Sequence, residues 1–318
     1  MIRRLLPLVV GALVAAPVAL ADGGPAPTAA YGVLGPGGKI RYATLVSGRH
    51  TTVNASRTNG IVLRWRDVRG RWGVPGVASD GTAGGLSADG RTLVLVPAQT
   101  APVPTRSVFL VVRTRDLVPL RRVRLKGNFS FDALSPHGSR LYLIQHVSRP
   151  NLNRYVVRAY DLDRNRLLPG RIADRTQRGW VMAGWPLARA TSADGRWVYT
   201  LYSRPSGYPF VHALDTVRGV AHCVGIPWHG SQNALWRTRM SLRDGGRTLS
   251  LRLRNGHEYL AITRGTWRIS HPGAARAAGA GSGFPWWTVG LGTVLGAALL
   301  LGAARLRGHG LRARAATN

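Results

Sequence analysis

The chain has 318 residues, enough for one large β domain or two ordinary domains. It carries 44 Lys and Arg against 13 Asp and Glu, and the resulting net charge of +31 is almost entirely due to Arg. Arg suits an anion-binding surface, but a GC-rich genome that encodes Arg wherever a cation is tolerated explains the total more simply. The content of 40 Gly and 19 Pro is typical of a turn-rich fold, and the single Cys223 excludes an internal disulfide framework.

The first 21 residues have the layout of a secretory signal peptide. Arg3 and Arg4 form a short basic start, and an apolar run from Leu5 to Leu20 follows them. The run closes on a small-x-small site, which predicts cleavage after Ala21. Residues 1–21 are therefore predicted to direct export, by either the general or the twin-arginine route.

A turn with a glycine at its tip recurs five times in the middle of the chain. The sequence Ser-Ala-Asp-Gly-Arg occurs at 87–91 and again at 192–196, and each copy precedes an alternating, strand-like segment. Related turns surround Gly37, Gly138 and Gly245, so the turn glycines recur every 48 to 57 residues. A repeat of about 50 residues with strand-like content is typical of a β-propeller.

Each repeat divides into four strand-like segments, of which the first and second flank the glycine turn. The predicted third strands are 61–66, 107–114, 154–160, 210–214 and 258–263. Short turns that contain Asp or Gly follow them, as hairpins require. The sequence therefore predicts an all-β fold over residues 22–270, a five-bladed β-propeller of four-stranded antiparallel blades. A sandwich with a second subdomain is the alternative, but it does not explain the regular spacing.

The Ser-x-Asp-Gly-Arg turn before a Leu-Tyr or Val-Tyr strand resembles the repeats of bacterial YVTN and WD-repeat-like propeller proteins. The resemblance covers residues 31–270 and is partial, because His137 replaces the turn Asp in one repeat and Gly37 replaces it in another. What it implies is a propeller used for binding or scaffolding. It implies no particular activity.

Strand parity separates the connections of such blades into two sets. The first–second and third–fourth turns lie at one end of the propeller, and the second–third and inter-blade loops lie at the other. The second set is the long one, at 48–60, 98–105, 146–153, 171–185, 203–209 and 227–236. Binding residues tend to lie on long loops of a rigid scaffold. The candidate ligand-binding residues in these loops are Trp180, Trp185, Trp228, His229, Trp236, Arg57, Arg175, Arg178 and Arg204.

Aromatic and Arg side chains at one end of a propeller suit a sugar, a lipid headgroup, a wall polymer or a protein partner. The alternative for each Trp is packing between blades, and for each Arg it is a solvated surface charge. Because the last strand also ends there, the C-terminal tether leaves from this end. We therefore expect the Arg-rich loops to lie near anionic lipid headgroups or a membrane neighbour.

No catalytic or metal-binding pattern stands out in the sequence. Residues 161–165 copy the start of a calcium loop, but Arg166 stands where Gly is required. His222 and Cys223 are adjacent on a predicted strand and face opposite sides. Glu258 is the only Glu, and a glycosidase needs a partner carboxyl group as well. We therefore expect no enzymatic activity, metal or cofactor. The predicted extracytoplasmic location disfavours nucleic acid as a partner.

The C-terminal part of the chain has the pattern of a membrane anchor. Residues 271–283 are rich in Ala and Gly, as in a flexible linker, and residues 284–304 carry no charge over a length that crosses the hydrocarbon core. Trp286 and Trp287 lie where an aromatic belt belongs, and the basic residues of 305–318 follow. The positive-inside rule then predicts a single-pass protein of the cell membrane with its N-terminus outside and its C-terminus in the cytoplasm.

These features predict a membrane-anchored extracytoplasmic propeller that binds or scaffolds a protein or an anionic envelope component. The alternative is a propeller hydrolase that acts on envelope carbohydrate or lactone, with its site at the central channel. Two carboxylates or a metal-ready set of Asp and His at the channel mouth would favour the enzyme. Trp and Arg alone would favour binding.

Overall fold

The computed structural model describes residues 28–99, 103–174, 176, 181–204 and 207–272. Within these residues 21 strands form five separate antiparallel sheets, which follow one another along the chain as blades 1 to 5. In each blade, consecutive strands are hydrogen-bonded neighbours. The predicted number of blades is confirmed, and only the third blade departs from the four-strand plan, since it has a fifth short strand.

The bounds of the elements are as follows. Blade 1 contains β1 (Val33–Leu34), β2 (Ile40–Ser47), β3 (His50–Arg57) and β4 (Val62–Arg69). Blade 2 contains β5 (Trp72–Gly73), β6 (Thr92–Pro97), β7 (Arg106–Arg113) and β8 (Val118–Lys126). Blade 3 contains β9 (Phe129–Leu134), β10 (Arg140–His146), β11 (Arg154–Asp161) and β12 (Arg166–Leu167), with β13 (Met182–Ala183) paired to β11. Blade 4 contains β14 (Trp185–Thr191), β15 (Trp197–Ser203), β16 (Phe210–Asp215) and β17 (Val220–Gly225). Blade 5 contains β18 (Arg239–Arg243), β19 (Thr248–Arg252), β20 (Glu258–Thr263) and β21 (Arg268–Ser270), and α1 (Gln232–Trp236) connects it to blade 4.

The glycine turns form because their side chains and backbone satisfy one another. In blade 4 the Asp194 carboxylate accepts hydrogen bonds from the Ser192 hydroxyl at 2.5 Å and from the Arg196 N–H at 3.0 Å. The Ser192 oxygen in turn accepts the Trp197 N–H at 2.8 Å, which starts β15. Gly195, at the tip, has a φ of +70°, in the left-handed region that favours glycine. We call the end of the propeller that carries these turns the turn end, and the opposite end the long-loop end.

The core of the propeller lies between its blades. Four clusters of buried apolar side chains join blades 1 and 2, 2 and 3, 3 and 4, and 4 and 5. Each blade contributes alternate residues of its strands, as a half-buried strand does when it packs on a neighbouring sheet. Among the described residues no fifth cluster of this kind joins blade 5 to blade 1. Four apolar joints therefore hold the five sheets together in series.

The prediction for blade 1 was wrong by one strand. The segment 48–60 was predicted as a long loop, but His50–Arg57 is β3, and the predicted third strand 61–66 belongs to the fourth strand, β4. β3 buries Thr51, Val53 and Ala55 on one side and consists otherwise of polar residues. Because its side chains are small and mostly polar, the sequence does not show the alternation of buried and exposed residues along this strand. The correct register makes the turn between β2 and β3 tight and moves the β3–β4 connection to the turn end.

The two predicted hydrophobic segments at the ends of the chain, 1–21 and 284–304, lie outside the described residues, as do 273–283 and 305–318. Within the part of the chain that the structure describes, no helix is long and apolar enough to cross a membrane.

Candidate functional site

The long-loop end carries connections of unequal length. Those between the second and third strands are 98–105, 147–153, 204–209 and 253–257 in blades 2 to 5. The connection between blades 4 and 5, residues 226–238, is also there and contains α1. In blade 5 these features lie side by side, because β18 begins and β19 ends at this end of the sheet.

An open groove of about 530 Å³ lies between α1 and the β19–β20 turn. We call it the blade 5 groove. Its lining residues are Ser231, Asn233, Ala234, Arg237, Leu253, Arg254 and Asn255.

Local sequence explains why the walls of the groove hold their shape. Ser231 caps α1, since its hydroxyl oxygen accepts the Ala234 N–H at 3.2 Å. On the other wall, the Asn255 side-chain oxygen accepts the His257 N–H at 3.1 Å and supports a turn whose Gly256 has a φ of +81°. Both walls are therefore short structures closed by their own polar side chains.

The electrostatics of the groove are positive. Arg237 and Arg254 are exposed, and neither takes part in an ion pair within the described residues. Asn233 and Asn255 add amide groups, while Ala234 and Leu253 give the floor an apolar part. Two guanidinium groups with adjacent amides can bind carboxylate, sulfate or phosphate groups through charge-assisted hydrogen bonds.

Of the predicted aromatic candidates that the structure describes, two pack in the core between blades 4 and 5 and one is exposed. Trp228 is buried in the core between blades 4 and 5, and its indole N–H donates to the Ser231 carbonyl at 3.2 Å. Trp185 begins β14 and packs against the same cluster. Trp236 ends α1 with 45% of its surface exposed. Trp228 thus holds the residue that caps α1.

The predicted polar candidates do not all lie at one place. His229 is exposed, and its backbone N–H donates to the Tyr259 hydroxyl at 3.1 Å. Arg204 follows β15 at the long-loop end and is half-buried. Arg57 ends β3 opposite Ile40, where the first turn of blade 1 ends, so it lies at the turn end rather than with the other candidates. The corrected register of blade 1 is the reason. Three further candidates, Trp180, Arg175 and Arg178, lie outside the described residues.

Sequence reasoning missed the two Arg side chains of the groove. Arg237 follows the predicted loop 227–236 by one residue. Arg254 lies in a short hairpin in which no candidate residue was predicted. The Asn255-Gly256 pair was the available signal, since Asn-Gly is a strong hairpin turn. Only the packing of α1 beside that hairpin makes the two arginines neighbours.

A row of four residues inside blade 4, three of them buried, offers the nearest approach to catalytic chemistry. Arg189, Thr200, His212 and Cys223 lie directly opposite one another on β14 to β17. We call these four residues the polar row. Arg189 forms an ion pair with the Asp132 carboxylate of blade 3, and both side chains are almost fully buried.

The thiol and the imidazole of the polar row do not form an activated pair. The Cys223 Sγ lies 3.6 Å from His212 Nδ1. Burial raises the pKa of the Cys223 thiol to about 12 and lowers the pKa of His212 to about 4. Both groups are therefore neutral near pH 7, whereas a nucleophilic cysteine needs a thiolate.

The acidic residues near the long-loop end are engaged in structural contacts. Asp174, the one acid in the predicted long loops, accepts the Thr176 N–H and the Cys223 N–H, both at 2.9 Å. Glu258 accepts a hydrogen bond from the Ser250 hydroxyl and pairs with Arg243 at 2.9 Å. Across the described residues, no group of three or more potential ligands could hold a metal ion.

Comparison with known proteins yields likenesses of shape only. No protein-family model and no curated protein sequence matches the chain. Hydrazine synthase from Kuenenia stuttgartiensis is similar at 15% identity and a TM-score of 0.42, over 74% of this chain and 77% of that chain. TolB from Acinetobacter baumannii is similar at 11% identity and a TM-score of 0.41, over 74% of this chain and 54% of that chain. The β-propeller domain of Myceliophteria thermophila Cps50 (Swd1) is similar at 13% identity and a TM-score of 0.39, over 74% and 66%.

The class of protein therefore follows from the sheets themselves: five consecutive antiparallel meanders joined face to face define a β-propeller. This chain spans about half the length of the TolB structure that it resembles. The resemblance to the YVTN family, which no family model tests, stays a prediction.

Proposed function

We propose that this chain is a membrane-anchored extracytoplasmic β-propeller that binds an anionic group of an envelope component or of a membrane-associated protein. The blade 5 groove is the binding site in this proposal. The observation that carries it is the pair of exposed guanidinium groups, Arg237 and Arg254, on the two walls of one groove.

The chemistry of the groove supports binding rather than turnover. Its lining residues include no His, Cys, Asp or Glu. Elsewhere in the described chain, Cys223 and His212 are held neutral and Glu258 is paired with Arg243. Hydrolysis needs an activated nucleophile or a positioned acid and base. We therefore assign recognition, and no reaction, to this site.

The sequence supplies the cellular part of the proposal. The predicted export signal at 1–21 and the predicted membrane segment at 284–304 support a location outside the cell membrane. β21 runs from the turn end towards the long-loop end, where the blade 5 groove also lies. A ligand at or near the membrane surface suits this arrangement.

A direct test measures binding of the full chain, in detergent micelles, to a fluorescent poly-glutamate peptide as a defined anionic probe. Arg237→Ala with Arg254→Ala is expected to weaken binding roughly tenfold or more, since about 1.4 kcal/mol corresponds to each factor of ten. The matched control is Arg166→Ala with Arg218→Ala, which removes the same charge from exposed positions at the turn end.

Equal losses in the two double variants would show that net charge alone attracts the anion, and the proposed site would then be wrong. A second readout uses a photo-crosslinking residue at Asn255 in native membranes, with Asp163 at the turn end as the control position. The proposal predicts capture of the same partner only from Asn255, and loss of that capture in the Arg237→Ala, Arg254→Ala background.

A further inference from the structure

One sheet face of blade 1 is exposed, although its side chains are those of a packed face. Leu45 on β2 and Trp65 on β4 are 66% and 64% exposed, and Leu34 and Leu63 are also among the large exposed apolar residues. Strand register puts Leu34, Leu45 and Trp65 on the same side of the sheet, and Leu63 lies in the bulge of β4 next to them. We call this side, with Ala43, Thr52 and Asn54 between its apolar residues, the outer face of blade 1.

The opposite side of the same sheet shows that blade 1 is properly folded. Tyr42, Val53, Ala55 and Val68 are buried there and pack on blade 2. The blade thus has one sealed side and one bare side. In monomeric proteins an exposed apolar patch of several hundred Å² commonly marks an interaction site, since the largest patch on a typical monomer is about 300–600 Å².

The charge of the outer face is unusual for this protein. Only Arg41, Arg69 and Asp67 contribute charged side chains to it, whereas the whole chain has a net charge of +31. The Arg41 guanidinium donates to the Tyr31 carbonyl at 2.8 Å, and the Asp67 carboxylate accepts the Thr52 hydroxyl at 2.5 Å. A face with so little positive charge does not favour an anionic membrane or polymer. The outer face suits a partner that is equally apolar and weakly charged.

We propose that the outer face of blade 1 pairs with the outer face of a second copy of this chain, making a symmetric dimer. A two-fold interface requires a patch that is complementary to itself, and an apolar patch with charges of both signs satisfies that requirement. Three strands of eight residues form a face about 26 Å long. Two such faces pack as the sheets of a sandwich do, about 10 Å apart.

The size of the face sets the strength of the dimer. Stable interfaces bury about 800 Å² per partner, and one three-stranded face is smaller than that. We therefore expect a weak dimer. Because the two copies are strongly cationic, salt screens their repulsion and strengthens the dimer. Anion binding in the blade 5 groove has the opposite dependence on salt.

The first experiment uses the full chain with Asn54→Cys, in native membranes, and a short bis-maleimide crosslinker. Asn54 lies between Ala43 and Trp65 at the centre of the outer face. The wild-type chain is the control, because its single Cys223 is half-buried and burial raises the pKa of that thiol to about 12. A crosslinked homodimer from Asn54→Cys alone is expected. Crosslinks only to other proteins, or none, overturn the proposal.

The second experiment separates this face from association through other segments, such as 284–304. Trp65→Glu and, separately, Leu45→Glu put a charge on the outer face, and each is expected to reduce the crosslinked dimer at least tenfold. Leu120→Glu is the matched control, since Leu120 is an apolar residue, 53% exposed, on the outermost strand of blade 2. Sedimentation equilibrium of the full chain in detergent gives the dissociation constants. Unchanged dimerisation in both variants, or an equal loss in Leu120→Glu, contradicts the proposal.

Discussion

The joint between blades 3 and 4 and the outer face of blade 1 are both formed by sheet faces with apolar side chains. The first is covered by a neighbouring blade, and the second is exposed. The joint contains the ion pair of Asp132 and Arg189, yet it is fully sealed by neighbouring apolar side chains. The outer face of blade 1 carries Leu45 and Trp65, yet it is bare. Apolar content alone therefore does not decide which sheet faces are covered.

In the joint, the buried charges are paired with each other and with neighbouring polar groups. Arg189 donates to the Asp132 carboxylate, to the Asp132 carbonyl and, at 3.1 Å, to the Thr200 hydroxyl. Across the same joint, the Tyr142 hydroxyl donates to the Thr216 carbonyl at 2.7 Å. Charges can be buried when each donor meets an acceptor, and they cannot be buried singly. The difference teaches that polar pairing, as much as apolar area, holds neighbouring blades together.

The largest expected effect comes from breaking the buried pair. Asp132→Ala leaves the Arg189 guanidinium buried without its carboxylate and is expected to lower the free energy of unfolding by about 3–5 kcal/mol. Urea unfolding followed by circular dichroism measures it. The control is Asp132→Ala combined with Arg189→Met, which removes both charges and should recover part of the loss. A double variant less stable than Asp132→Ala would contradict this account.

A second prediction concerns pH and the polar row. Burial lowers the pKa of His212 to about 4, while the unfolded chain titrates near the ordinary value of 6.5. Between these values the unfolded state binds more protons, so stability is complete above pH 6.5 and falls as the pH drops toward 4. The loss attributable to His212 amounts to roughly 3 kcal/mol.

His212→Phe tests this dependence, because it keeps a ring of similar shape without a titrating group. Unfolding curves at pH 7, 6, 5 and 4.5 should show a shallower slope in the variant. Some slope remains, since burial also lowers the pKa of His146. The charged groups that act on His212, Asp132, Arg189 and Asp174, are unchanged in the variant. Identical slopes for the two chains would show that His212 titrates normally.

A third prediction compares two turn glycines. Gly195 and Gly245 have similar φ values, +70° and +63°, but a Cβ on Gly195 would lie 2.5 Å from the Ala88 Cβ, and a Cβ on Gly245 would meet nothing within 4 Å. Gly245→Ala should cost about 1 kcal/mol from backbone strain alone. Gly195→Ala should cost about 2–3 kcal/mol, because it adds a steric clash between blades 2 and 4. Equal costs in thermal unfolding would show that the turns of these two blades do not touch.

The smallest effect is expected on the bare face. Trp65→Ser should change the free energy of unfolding of the monomer by less than about 0.5 kcal/mol, because the ring is mostly exposed. The control on the sealed side of the same blade, Val53→Ala, should cost about 2 kcal/mol. Both are measured by urea unfolding at low protein concentration. A large loss in Trp65→Ser would mean that the outer face is covered within the monomer.

Much of the fold could be predicted because glycine turns carry a local signal. All five glycines that aligned the repeats have a positive φ, and the strand Glu258–Thr263 has the predicted bounds. The prediction for blade 1 failed at Thr51, Val53 and Ala55, because their small side chains do not form the apolar pattern typical of a buried strand. None of the predicted site residues that the structure describes lines the blade 5 groove. Trp228 and Trp236 were selected because aromatic residues in a loop stand out, whereas Arg237 and Arg254 become neighbours through folding alone.

By itself, the sequence determined the all-β class, the number of blades and the end of the propeller at which most of the long loops lie. These properties depend on turn geometry and strand parity, which act over a few residues. Only the tertiary structure decided that Asp132 meets Arg189, that Arg57 lies at the turn end, and that the outer face of blade 1 is exposed. Those outcomes depend on which sheet faces which across some 50 residues of chain, and no local pattern encodes that contact.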